Sequence, residues 1–265
     1  MIKDTGNQDL RSALDSGLTK KDFFKRSIVR PLKMLVLSPI VLSTSLYVGV
    51  VYGYLYLMFT TFPLVFEGTY HFSQGSVGLC YLGLGVGSMI GVVVFAVTSD
   101  KVLKKHGTDQ AENPDDTLQR TTTTASTRTL VKPEMRLPMM IWSAPLIPVG
   151  LMIYAWTTEY KVHWIVPIMA TTLVGVGNIT VFMCISTYLI DAFSIYAASA
   201  LAANTVIRSV MGAVLPLAGQ KMYKTLGLGW GNSLLAFVAF ALLPVPIVLS
   251  RWGERIRKRY IIKNL

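Results

Sequence analysis

The chain has 265 residues, 52% of them apolar and 15% charged, with a formal net charge of +11. So large an apolar share with so few charges excludes a water-exposed globular surface and points to a membrane protein. In a soluble chain the positive excess would raise nucleic acid as a partner; here Lys and Arg collect beside apolar runs, where they meet anionic headgroups and set orientation, which argues against nucleic acid.

Residues 1–34 are polar, carry eight Lys or Arg, and lack the short apolar core and small-residue cleavage site of a signal peptide, so they read as a basic tail before an uncleaved first span. Six windows then reach the roughly 20 apolar residues that cross about 30 Å of hydrocarbon. They are Leu35–Thr60, Ser76–Thr98, Pro138–Thr157, His163–Ile190, Ala197–Gly219 and Trp230–Ser250. The expected fold is an all-α, multi-pass membrane protein, with two spans in 35–98 and four in 138–250. Residues 99–137 are polar, threonine-rich over Thr121–Thr129, and read as a flexible linker; 251–265 form a second basic tail. With the N-terminus taken as internal, internal segments hold 21 of the 25 Lys and Arg and external loops hold three, so both termini are expected in the cytoplasm.

Cys80 and Cys184 both lie in apolar runs, which argues against a disulfide framework or thiolate metal site. His71, His106 and His163 lack metal-ligand spacing, and no HExxH, GxSxG or glycine-rich phosphate loop occurs. No catalytic residues, metal or cofactor are expected, and the lipid bilayer and a small organic solute are the partners that remain.

Gly83, Gly87 and Gly91 recur at intervals of four in the second window, placing three glycines on one helix face and allowing another backbone close. Tight packing explains them, and sliding helices would use the same device. Arg208 is the one formal charge inside a span, about 11 residues or roughly 16 Å from its start, near the bilayer midplane. An arginine there costs about 2.5–3.5 kcal/mol on insertion scales, so it should face a polar cavity or a partner. Asn204 and Gly212 lie one turn before and after it on the same face. Two roles stand for Arg208: lining a solute path, or bonding backbone carbonyls. Asn178 offers hydrogen bonds either to a solute or to a neighbouring helix. Tyr47 and Tyr54 share one face of the first span and Tyr52, Tyr56 and Phe59 take roughly the opposite one. Because 52–59 approach the external surface, an aromatic belt accounts for that second set, leaving Tyr47 and Tyr54 as the pathway candidates. Asp191, at the end of the fourth span, reads as a helix cap or turn former, or else as a charge partner at a cytoplasmic gate. Glu67 and His71 are expected in a wet external loop.

Several stretches taken in order carry a resemblance: RPLKML before the first span, FPLVFEGTYHFSQGSVGLCYLGLGVG into the second, SDK at 99–101, PEMRLP at 133–138, GVGN running to YLIDAF in the fourth, then AASALAANTVIRSVMGAVLPLAGQKMYKTLGLGWGNSLLAF. Over about residues 30–260 the chain resembles the C-terminal half of fungal-type major facilitator transporters of the drug:proton antiporter group, which includes drug and polyamine exporters. The resemblance implies half of a major facilitator fold, built of two inverted three-helix repeats, with solute bound between two six-helix halves. It implies that Asp100 and Lys101 belong to a cytoplasmic turn that latches helix ends, and that Asn204, Arg208 and Gly212 lie on the penultimate helix. It implies the plasma membrane as the default location. The group's antiporter signature and better-attested proton-coupling acids lie in the other half, so antiport rests on the resemblance and on no residue here. The expected function is passage of a small organic solute, possible for a half only against a missing N-terminal six-helix half or a second copy. The alternative is a truncated, non-transporting membrane protein that associates with full-length transporters.

Overall fold

A computed structural model describes the backbone of residues 20–111 and 133–259 and the side chains of 27–99 and 133–257. The described residues form eight α-helices: α1 Lys20–Leu37, α2 Pro39–Tyr70, α3 Gln74–Ala111, α4 Leu137–Ser143, α5 Leu146–Glu159, α6 Ile165–Phe193, α7 Ala197–Leu242 and α8 Pro244–Arg259. Four stretches are long and apolar enough to cross a membrane, namely Pro39–Tyr70, Gln74–Ser99, Pro133–Glu159 and the continuous run Ile165–Arg257.

Both ends of α2 have a local cause. At the start of α2 the Ser38 hydroxyl accepts from the Val41 N–H at 3.4 Å and Pro39 takes the first turn, where its missing N–H costs nothing. The helix ends at His71, which adopts a left-handed conformation (φ 55°). It therefore runs well beyond the expected Thr60, passing through Pro63, and Glu67 is helical rather than in a loop. A proline at 63 deprives the Phe59 carbonyl of its helical donor; the Tyr81 hydroxyl of α3 supplies one at 2.9 Å. The third expected span is divided, α4 giving way to α5 around Ala144 and Pro145. Helix α3 continues to Ala111, beyond the expected end at Thr98, so the first part of the expected linker is helical; residues 112–132 lie outside those described.

The largest departure is in α7. It does not end at Gly219 but continues until Gly227, whose φ of 74° and ψ of 179° break the helix into two arms. Glycine tolerates that backbone where other residues are strained. Neighbours give the directions. Gly49, Gly53 and Leu57 of α2 lie against Ile207, Met211 or Leu215, and Gly219 in turn, so the first arm runs parallel to α2. Glu159 at the end of α5 meets Gly229, whereas Ala144 and Ile147 before and within α5 share a small cavity with Ala239 and Leu242, so the second arm runs antiparallel to α5. The amide groups opened at the break are partly satisfied by the Glu159 carboxylate, which accepts the Gly229 N–H at 2.9 Å at the new helix N-terminus. The Tyr223 hydroxyl donates to Asn232 Oδ1 at 2.6 Å, tying one arm to the other.

Helix α6 is the hub. Its Gly175 lies against the α3 backbone at Leu84, its Gly177 against Ile147 of α5 and Ser143 of α4, and its Asn178 bonds α2. Helix α3 carries two faces: Gly83, Gly87 and Gly91 turn to α6, while Leu79, Leu82, Val86, Met89 and Val93 stay exposed as an apolar stripe suited to lipid or another bundle.

Candidate functional site

Three helices bring one residue each to a common depth. Arg208 lies about three turns into α7, Tyr52 between three and four turns into α2, which runs parallel to it, and Phe182 about three turns before the end of α6. At about 1.5 Å of rise per residue these positions lie roughly 16–20 Å from the same end of the bundle. The Arg208 guanidinium carbon sits 4.6 Å from the Tyr52 ring centroid and 4.9 Å from that of Phe182. Both distances fall within the reach of cation–π attraction, worth about 0.5–2 kcal/mol each and more when water is excluded. No described acid forms an ion pair with Arg208, and its buried Nε has no hydrogen-bond partner. One turn earlier Asn204 is buried, its Oδ1 also without a partner. One turn later Gly212 faces the same rings, a Cβ there lying 3.4 Å from Tyr52 and 3.7 Å from Tyr56, at ordinary contact.

Tyr52 is thus the tyrosine that meets Arg208, packed on Tyr56 with ring centroids 4.8 Å apart. Tyr47 and Tyr54 sit on the other side of α2, buried in the bundle interior beside Ala144, Ile147, Ala239 and Leu242. The sequence alone assigns Tyr52 to a surface belt because depth along the helix is counted from an end expected at Thr60; with α2 reaching Tyr70, residue 52 lies well inside the span.

Asn178 donates through Nδ2 to the Val51 carbonyl at 2.9 Å, an interhelical bond inside the bundle. Replacing it with alanine should lower stability by about 1 kcal/mol, the usual scale of such bonds between membrane helices. Thermal unfolding in detergent measures this, and an unchanged melting temperature would mean the bond contributes nothing net.

At the end of the bundle where α2 begins, Arg136 Nε pairs with Asp191 Oδ2 at 2.6 Å and its Nη1 donates to the Ser99 hydroxyl at 3.0 Å. Arg257 of α8 approaches Glu134 at 3.3 Å. Four chain segments meet there: the α3 side, the 3-10 turn Pro133–Arg136, the end of α6, and α8. Asp191 is therefore an ion-pair partner for a residue far from it in the chain. The side chains of Asp100 and Lys101 lie outside the described residues. Neither Arg136 nor Glu159 stands out in the sequence, since each reads as an ordinary charge at a span boundary.

A cavity of about 610 Å³ lies elsewhere, between α3, α4 and α6, bordered by Thr98, Arg136 and the exposed Trp142. Its walls are mainly apolar, its arginine is engaged with Asp191, and it touches α6 at Val176 and Thr180, on a different face from Phe182. At Arg208 a charged side chain and, one turn away, the buried Asn204 amide oxygen are left unsatisfied on one helix face, which makes this the candidate site.

Residues 4–216 match the family model of the Major Facilitator Superfamily. The chain is 51% identical over 260 residues to the MFS-type transporter tndD of Aspergillus flavipes, covering 98% of this chain and 46% of that protein. It is 54% identical over 255 residues to the MFS-type transporter penM of Penicillium rubens, covering 96% and 47%, and 52% identical over 256 residues to atr4 of Stereocaulon alpinum, covering 97% and 43%. The chain spans about half the length of the curated relatives it matches. No solved structure matches it. An all-α architecture of apolar, membrane-length helices, a family model matched over most of the residues and relatives named as transporters lead to one conclusion: the chain is a multi-pass integral membrane protein that belongs to the Major Facilitator Superfamily.

Proposed function

We propose that the chain is the C-terminal six-helix half of a small-solute facilitator, moving an organic compound along the face of α2, α6 and α7 by rocking against a second six-helix bundle. The observation that carries this reading is Arg208, deep in a span, held between two aromatic rings with no acid to neutralise it among the described residues. A charge so placed is expensive unless it meets a polar path or ligand. Six crossings are supported by the reversal of α7 at Gly227, which turns the run Ile165–Arg257 into three alternating passes. The Lys/Arg asymmetry supports cytoplasmic termini, and the family supports the plasma membrane. The contacts of Arg136 with Asp191 and Ser99 support a latch near the cytoplasmic end, next to the Asp100 and Lys101 to which the resemblance gives that role. Coupling to protons, as in the drug:proton antiporter group, would fall to acids of the partner bundle.

Flux of fluorescent organic solutes in proteoliposomes tests the reading, with the chain reconstituted alone and with the N-terminal half of a relative. Facilitated flux that falls at least tenfold in Arg208→Ala, while that variant elutes as a monodisperse protein, is the expected result. No flux in either preparation, with stable co-purification alongside a full-length relative, would replace it with the reading of a non-transporting membrane protein that associates with full-length transporters.

A further inference from the structure

The chemistry around Arg208 also names the kind of solute, an inference that rests on the α2–α6–α7 face being the solute path. The Tyr52 and Phe182 ring centroids lie 4.6 and 4.9 Å from the guanidinium carbon, within cation–π reach, and such rings take none of the N–H hydrogen bonds an anion would use. Guanidinium edges present N–H groups in a planar fork that matches the two oxygens of a carboxylate or a delocalised enolate. The buried Nε belongs to that edge and has no partner. A cationic solute would meet unscreened repulsion here, since none of the described acids pairs with Arg208. Asn204, buried one turn away, offers an unused carbonyl oxygen, which asks for a hydroxyl or N–H donor. The faces of Tyr52, Tyr56 and Phe182 around it suit a flat apolar body.

We propose that Arg208, with Asn204 one turn away, forms the recognition site for an organic anion: an oxyanion on a flat apolar skeleton that also carries a hydroxyl or amide N–H. The guanidinium edge takes the oxyanion, the two rings flank it, and Asn204 accepts from the donor group.

The test is equilibrium binding to the purified chain in nanodiscs, using 6-hydroxy-2-naphthoate, its neutral carboxamide 6-hydroxy-2-naphthamide, and a naphthyl ammonium of similar size. The wild-type protein should bind the carboxylate about 10- to 100-fold tighter than the carboxamide, the range set by one charged hydrogen bond, and should bind the ammonium weakest. Arg208→Gln should erase the carboxylate preference and Arg208→Lys should keep part of it. Equal affinity for the three probes in wild-type protein, or a preference that survives in folded Arg208→Gln, overturns the proposal. Because the wild-type comparison needs no variant, a misfolded substitution leaves the result readable. Binding is measured without flux: anion-selective binding with no transport keeps the ligand class and removes the transport reading, and transport that favours neutral or cationic solutes does the reverse.

Discussion

Gly87→Ala should destabilise the protein by about 3 kcal/mol, the upper end of ordinary overpacking, and Gly87→Leu should leave no folded protein to purify. A Cβ at residue 87 would lie 2.2 Å from the Thr172 carbonyl oxygen and 2.9 Å from the Thr172 Cα. These are backbone atoms, so no side-chain rotation relieves the clash and the two helices must separate. The contact is repeated along the pair: a Cβ at Gly83 would meet the Ile168 carbonyl oxygen at 2.6 Å, at Gly91 that of Val176 at 2.9 Å, and at Gly175 of α6 that of Leu84 at 2.5 Å. Helices in lipid gain little from the hydrophobic effect between them and associate through such close packing, so a gap of even half an ångström forfeits much of the attraction. Gly85 is the control. Nothing lies within 4 Å of a Cβ there, and Gly85→Ala should be neutral or stabilise by up to about 1 kcal/mol through helix propensity. Thermal unfolding of Gly87→Ala and Gly85→Ala in one detergent, with the purification yield of Gly87→Leu, checks the pattern; equal melting of Gly87→Ala and wild type would remove the backbone contact between α3 and α6 from the description.

Arg136→Ala should cost about 2–3 kcal/mol, and Asp191→Ala a similar amount, while the double variant should lose clearly less than their sum. The pair is short at 2.6 Å and its side chains are only 20% and 18% exposed, so neither charge is well solvated once its partner is gone. Arg136 also donates to Ser99. Removing the arginine therefore leaves a carboxylate partly buried and a hydroxyl unbonded, and the larger share of the loss comes from that orphaned charge. A double-mutant cycle on melting free energies should return a coupling of about 1.5 kcal/mol or more. It should change little between low and high salt, unlike that of an exposed pair. Additive losses would mean that the two residues act separately and that the latch role rests on geometry alone. The same variants test the proposed latch, since Arg136 joins Ser99 of α3 to Asp191 near the end of α6.

Much of this was legible without coordinates because it is local and additive. Charge density along the chain located the apolar windows, and the spacing of Gly83, Gly87 and Gly91 marked a face for close approach that the structure fills with the α6 backbone. The isolation of Arg208 among uncharged residues made it the residue to explain. Helix ends were less legible: hydropathy opens the first window at Leu35, whereas the structure starts that helix at Pro39 behind the Ser38 cap. Its far end was not legible either: the helix passes the expected Thr60 and runs on through Pro63, and a hydroxyl from another helix serves the carbonyl that the proline leaves free.

The sequence by itself determined the solvent of this protein, its family and the position of Arg208 about three turns into its helix, because hydropathy, motif order and rise per residue are read along a single chain. Only the tertiary structure decided that Tyr52 and Phe182 rather than Tyr47 and Tyr54 flank Arg208, that Asp191 belongs to Arg136, and that Glu159 caps the second arm of α7. Helices that are apolar on every side carry little amphipathic signal of which way they face. Their rotation about their own axes is set by the shapes that meet, glycine against backbone and ring against guanidinium, between residues far apart in the chain.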